Sequence, residues 1–118
     1  MRTVSECEFR TRLQEVLSQL DVSSIGSVTG PGRSGAIAAV YASHMLRVPF
    51  IPYGAQAPTQ LGRLLIIDTA RQSGATLRKA ARCYKSAQPV AVACFEEPPR
   101  VAFWYESPKP QRYRHESV

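Results

Sequence analysis

Leu64-Leu65-Ile66-Ile67-Asp68-Thr69-Ala70-Arg71-Gln72-Ser73-Gly74-Ala75-Thr76-Leu77 is the stretch on which the reading of this 118-residue chain turns. Leu64 to Ile67 is an unbroken apolar run that stops at an aspartate. Such a run is expected of a strand buried on both faces of a parallel sheet. Thr69 to Ser73 then reads as a turn, and Gly74-Ala75-Thr76 opens a helix expected to reach about Ser86. A helix start leaves backbone N–H groups unpaired, and its dipole favours an anion. Small residues there let a phosphate approach the backbone closely. Ser73 and Thr76 add hydroxyl donors. Asp68, at the expected strand end, is placed to accept hydrogen bonds from sugar hydroxyls. The bland alternative is a solvated aspartate capping the amide of Ala70 or Arg71.

Working outward, the same alternation of elements continues. Ser5 to Leu20 reads as a helix: Ser5 and Glu8 have capping-box spacing, and Phe9, Leu13, Val16, Leu17 and Leu20 form one apolar stripe. Ile25 to Thr29 is a strand, followed by the turn Gly30-Pro31-Gly32-Arg33-Ser34-Gly35 and a helix from Ala36 to Leu46. Val48 to Tyr53 is a second strand, marked by its prolines as an edge or a strand end. Gly54 to Gly62 is a polar connection. Beyond the central stretch, Val90 to Phe95 is another buried strand, Glu96 to Arg100 a turn, and Val101 to Tyr105 a final strand. Strands alternating with helices imply an α/β fold: one domain with a mostly parallel sheet flanked by helices, Rossmann-like in its three layers. Residues 1–106 form that domain and 107–118 a basic polar C-terminal tail. Right-handed crossovers bring the Gly30–Gly35 turn and the Asp68–Thr76 turn to one rim, the carboxyl ends of the strands, where ligands bind in such sheets.

Composition narrows the classes. The hydrophobic content of 44% suffices for one packed core. No apolar run approaches the roughly 20 residues of a membrane span, and Met1 to Glu8 has no signal-like apolar stretch. Cys7, Cys83 and Cys94 are odd in number and far apart, which fits neither a disulfide framework nor a metal clip. They read as buried or half-buried thiols in a reducing cytoplasm. The net charge of +6 suits anionic partners, either phosphorylated metabolites or nucleic acid.

The central stretch resembles the signature loop of the type I phosphoribosyltransferases: an apolar run, two acidic residues, a short variable stretch, then Thr-Gly-x-Thr. Ser73-Gly74-Ala75-Thr76 matches the phosphate-holding end and Asp68 the first acidic position. The resemblance implies that Thr69, Ala70, Arg71, Gln72, Ser73, Gly74, Ala75 and Thr76 cradle the 5′-phosphate and ribose of phosphoribosyl pyrophosphate, with Asp68 on the ribose hydroxyls. Two departures stand out. Thr69 replaces the second acidic residue, and Gln72 stands where some purine-using members carry an aspartate. Val28 to Ala39 is similar to the family's pyrophosphate loop. Gly32, Arg33, Ser34 and Gly35 match its Arg-Gly-Gly-like version, with Arg33 paired to pyrophosphate oxygens. The resemblance further implies Mg²⁺ brought with the substrate, with Asp68 as the protein side chain in reach of it, a nucleobase as second substrate, an aromatic (Trp104 or Phe103) stacked on that base, and a homodimer. The long catalytic loop of many members would be abbreviated to Gly54–Gly62. Asp68 and Arg33 are the expected catalytic residues.

Three other readings fit parts of the sequence. Gly30, Gly32 and Gly35 also satisfy the dinucleotide fingerprint, but the next strand ends Ile51-Pro52-Tyr53-Gly54 without the carboxylate that fingerprint needs. A domain short of one carboxylate would also suit a non-catalytic sensor of a phosphoribosyl ligand or nucleotide. The basic surface, including Lys109 to Arg114, would suit RNA. His44 reads as packed or solvated, and Phe103-Trp104-Tyr105 also as core or dimer packing.

Overall fold

A computed structural model of the chain describes residues 2–71, 74–96 and 101–106. In chain order the elements are β1 (Thr3–Val4), α1 (Glu6–Ser18), β2 (Ile25–Thr29), α2 (Gly32–Leu46), β3 (Arg63–Ala70), α3 (Ala75–Cys83), β4 (Val90–Phe95) and β5 (Ala102–Phe103). The main sheet is parallel with strand order β2-β3-β4. A second, two-stranded parallel sheet pairs β1 with β5, joining the two ends of the domain.

β3 lies in the middle because both of its faces are apolar. Leu65 and Ile67 pack with Phe9 and Leu13 of α1 and with Ala38, Ala39 and Ala42 of α2. Leu64 and Ile66 pack on the other side with Leu77 and Ala80 of α3, Tyr84 and Ala93. This gives three layers, α1/α2, sheet and α3, as the alternation of elements implies. Alanines on α2 let that helix settle close to β2 and β3. No helix among the described residues is long and apolar enough to cross a membrane.

Four elements differ from the sequence reading. α2 begins at Gly32 rather than Ala36, so the turn shrinks to Gly30-Pro31 and Arg33 and Ser34 sit in the first helical turn. The reason is a glycine-on-glycine contact. A Cβ on Gly30 would lie 2.0 Å from the Gly35 carbonyl oxygen and 2.6 Å from that of Ile67. The helix start therefore rests directly on the ends of β2 and β3. Val48–Tyr53 is not a strand: a single bridge joins Phe50 to Val28, between Pro49 and Pro52, which have no N–H to donate. β3 runs on to Ala70, because Asp68 and Ala70 keep their register with Ala93 and Phe95, and the Arg71 amide still bonds the Phe95 carbonyl at 3.0 Å. The expected final strand shortens to β5, followed by a 3₁₀ turn over Trp104–Glu106.

Smaller details follow the same logic. α1 is capped by Ser5, whose hydroxyl accepts from the Glu8 amide at 3.1 Å. The Glu8 carboxylate does not close the box; it pairs with Arg2 at 2.6 Å. α3 stops at Cys83, and Lys85–Ala87 continues as a 3₁₀ turn. Cys94 is buried as expected, whereas Cys7 and Cys83 are exposed free thiols. The Glu96–Arg100 turn lies mostly, and the 107–118 tail wholly, outside the described residues.

Candidate functional site

The carboxyl ends of β2 and β3 meet at one rim, and a cleft of about 220 Å³ opens there. Three segments build it. β3 and the chain after it supply Asp68, Thr69, Ala70 and Arg71, and the start of α3 supplies Gly74, Ala75, Thr76 and Leu77. The first turn of α2 supplies Ser34, and the C-terminal segment supplies Val101, Phe103 and Glu106. Ser34 and Thr76 are more than forty positions apart in sequence. The sheet brings them together because both follow strand ends on the same rim.

Asp68 is partly buried, and its Oδ1 accepts the Thr69 amide at 2.8 Å. Burial raises the Asp68 carboxyl above its ordinary range; the hydrogen bonds from Thr69 oppose that shift without cancelling it. Thr69 itself is only 3% exposed. It thus serves Asp68 in place of offering a second carboxylate to a ligand. Gly74 caps α3 with φ +83°, a left-handed conformation natural to glycine. A Cβ there would also meet the Arg78 guanidinium at 2.9 Å, so that side chain folds back over the helix start. The rim near α3 is therefore cationic and rich in backbone donors, as an anion requires.

Arg71 lines the cleft and its guanidinium is engaged by Glu96 in an ion pair. The Tyr105 hydroxyl donates to Ser34 Oγ at 2.8 Å. That bond ties the C-terminal segment to the first turn of α2. Glu106 Oε1 accepts the Phe103 amide at 3.0 Å, which holds its carboxylate beside the cleft.

Most of the expected site residues meet here: Asp68, Thr69, Ala70, Arg71, Gly74, Ala75, Thr76 and Ser34 share the cleft. Gln72 and Ser73 lie outside the described residues. Four of the expected residues lie outside the cleft lining. Arg33 is exposed and does not line the cleft; it lies one residue before Ser34, which does. Gly32 is exposed and does not line the cleft either. Gly35 is buried against Gly30. Trp104 does not face the cleft; it packs at 5.6 Å from Phe9 and 6.3 Å from Tyr41, ring to ring. Phe103 is the aromatic of that cluster at the cleft wall. His44 is exposed on α2, as a solvated residue would be.

Leu77, Val101 and Glu106 were not foreseen. Leu77 had a signal, being one residue past the phosphate-binding pattern. Val101 and Glu106 had none, since only the β1–β5 pairing brings that segment to the rim. The Gly54–Gly62 connection supplies no residue to the cleft. It is fastened by Tyr84, whose hydroxyl accepts the Gly54 amide at 2.9 Å and donates to the Ala55 carbonyl at 2.7 Å.

No family model matches the sequence, and no curated protein matches it. Solved structures do. The chain is similar to the xanthine-guanine-hypoxanthine phosphoribosyltransferase of Helicobacter pylori, with a TM-score of 0.69 at 14% identity over 89% of this chain and 92% of that one. It is similar to a purine phosphoribosyltransferase of Pyrococcus horikoshii, with a TM-score of 0.67 at 16% identity over 96% of this chain and 100% of that one. An adenine phosphoribosyltransferase of Rhodothermus marinus follows, at 0.58 and 19% identity over 81% and 76% of the two chains. The fold of this protein is that of the type I phosphoribosyltransferases.

Proposed function

We propose that this protein is a phosphoribosyltransferase that binds phosphoribosyl pyrophosphate and passes its phosphoribosyl group to a nitrogenous base, releasing pyrophosphate. The observation that carries the reading is a single cleft joining the first turn of α2 to the N-terminus of α3 beside a partly buried aspartate. In this reading Gly74, Ala75 and Thr76 hold the 5′-phosphate with backbone amides and the Thr76 hydroxyl. Asp68 accepts hydrogen bonds from the ribose hydroxyls. Ser34 and the first-turn amides of α2 meet the pyrophosphate. The ribose C1–oxygen bond to pyrophosphate breaks, a C1–nitrogen bond to the base forms, and the base nitrogen loses its proton. Positioning and charge stabilisation can carry such a reaction without a protein nucleophile.

Mg²⁺ keeps several waters and is commonly held by substrate phosphates with one or two carboxylates. Asp68 is the carboxylate placed to reach it. Bound there, Mg²⁺ would neutralise charge on the departing pyrophosphate.

A second reading, a sensor that binds the ligand without turnover, is favoured by Thr69, whose small buried side chain stands where the family pattern has a carboxylate. One experiment separates the two. The protein is incubated with phosphoribosyl pyrophosphate, Mg²⁺ and a panel of bases while pyrophosphate release is followed. Base-dependent release supports the transferase. Thermal stabilisation by phosphoribosyl pyrophosphate without release supports the sensor, and stabilisation by RNA alone contradicts both.

A further inference from the structure

We infer that Glu106 reads the base, and that the base is a purine whose edge presents paired N–H donors, as the N1–H and 2-amino group of guanine do. The inference rests on the phosphoribosyl reading of the cleft and adds the substrate class.

The argument starts from what closes the cleft away from the α3 start. That wall consists of Val101, Phe103 and Glu106. Val101 and Phe103 are apolar and almost fully buried, so they offer a ring little beyond a flat surface. Glu106 is the one polar side chain of the three. Its head is not free to wander, because Oε1 accepts the Phe103 amide. A carboxylate has about four acceptor sites over two oxygens and, ionised, no donor. One bond from a backbone amide therefore leaves it able to accept two parallel N–H groups.

The other charged groups at the cleft have other roles in this reading. Asp68 lies at the β3 end beside the phosphate segment, where the ribose hydroxyls take it. Arg71 is engaged by Glu96. No lysine is among the described residues lining the cleft. A base seated against this wall thus meets an acceptor and must donate. Guanine presents two adjacent donors on one edge, the arrangement a carboxylate binds in bidentate fashion. Hypoxanthine presents one. Xanthine turns a carbonyl toward the carboxylate at position 2, and adenine a lone pair at N1. Both leave acceptor facing acceptor, which specificity exploits as a penalty. The expected order is guanine, then hypoxanthine, then adenine and xanthine.

The test measures pyrophosphate release with each base, and separately the affinities of GMP, IMP and XMP by calorimetry, in the wild type and in Glu106→Gln. Glutamine keeps an oxygen for the Phe103 amide but turns one acceptor into a donor, so the wall survives while its code changes. The wild type is expected to prefer guanine over xanthine, and GMP over XMP, by about tenfold or more, the scale of one bidentate pair. Glu106→Gln is expected to reduce that preference to within about threefold, as loss of one of the paired bonds requires. Release without a guanine preference, or a preference unchanged in Glu106→Gln, overturns the inference and leaves the transferase reading standing. No release, but a GMP preference that the variant abolishes, supports the inference and removes the transferase reading. Absence of both release and nucleotide binding overturns both.

Discussion

Replacing Gly30 by alanine tests how the rim is built. The new Cβ would lie 2.0 Å from the Gly35 oxygen, 2.4 Å from the Gly35 carbonyl carbon and 2.6 Å from the Ile67 oxygen. All three are backbone atoms, so no side chain can swing aside and the start of α2 must lift off β2 and β3. Overpacking of this kind costs about 3 kcal/mol, the upper part of the usual range. For a domain of this size that is a fall in melting temperature of roughly 10–15 °C. Gly32→Ala supplies the control. Gly32 has φ +69° but nothing within 4 Å of its Cβ position. Its cost is left-handed strain alone, about 1 kcal/mol. Both variants would be unfolded in urea and titrated with Mg²⁺ and phosphoribosyl pyrophosphate. Gly30→Ala should lose more stability and, because Ser34 shifts with the helix start, should also bind the ligand more weakly than Gly32→Ala. Equal stability losses in the two variants would refute the contact argument.

Other outcomes follow from the same structure. Asp68 has its carboxyl raised by burial, so ionisation opposes folding above its unfolded value near 3.8. Asp68→Asn should therefore be more stable than the wild type at pH 7, with the difference shrinking as pH falls toward 4, while phosphoribosyl pyrophosphate binds less tightly; urea unfolding at both pH values and calorimetry check the pair. Tyr84→Phe strands the Gly54 amide and the Ala55 carbonyl and should cost about 1–3 kcal/mol, read by urea unfolding, with ligand affinity unchanged because that connection supplies nothing to the cleft. Burial, reinforced by the Asp68 charge, pushes the Cys94 thiol up to about 12. Native protein should then expose two reactive thiols, Cys7 and Cys83, to a disulfide reagent, and a third only on unfolding.

The central parts of this fold are written in local sequence. The Leu64–Ile67 run is apolar on both faces and fully buried, as expected of a central strand in a parallel sheet. What sequence concealed depends on partners far along the chain. β1 and β5 are two residues each and exist only because each pairs with the other. The start of α2 was hidden because glycines read as loop, whereas Gly30 and Gly35 are glycines so that a helix can touch a strand end. Val48–Tyr53 had strand-like residues, but its prolines leave one bridge. The site divides in the same way. Asp68 to Thr76 was legible because one local segment carries both the strand-end aspartate and the glycine-opened helix start. Aromatic character alone does not tell a stacking platform from a packing residue, and in the structure Trp104 packs against Phe9 and Tyr41. Glu106 carries no local mark at all.

The most direct test is a residue-resolved one: ¹H–¹⁵N spectra of the labelled protein during titration with Mg²⁺ and phosphoribosyl pyrophosphate. The largest shifts should fall on Ser34, on Gly74 to Leu77 and on Val101 to Glu106, in one saturable phase. Shifts centred instead on the Tyr53–Ala57 connection and Ser86, with the rim residues unmoved, would contradict the account.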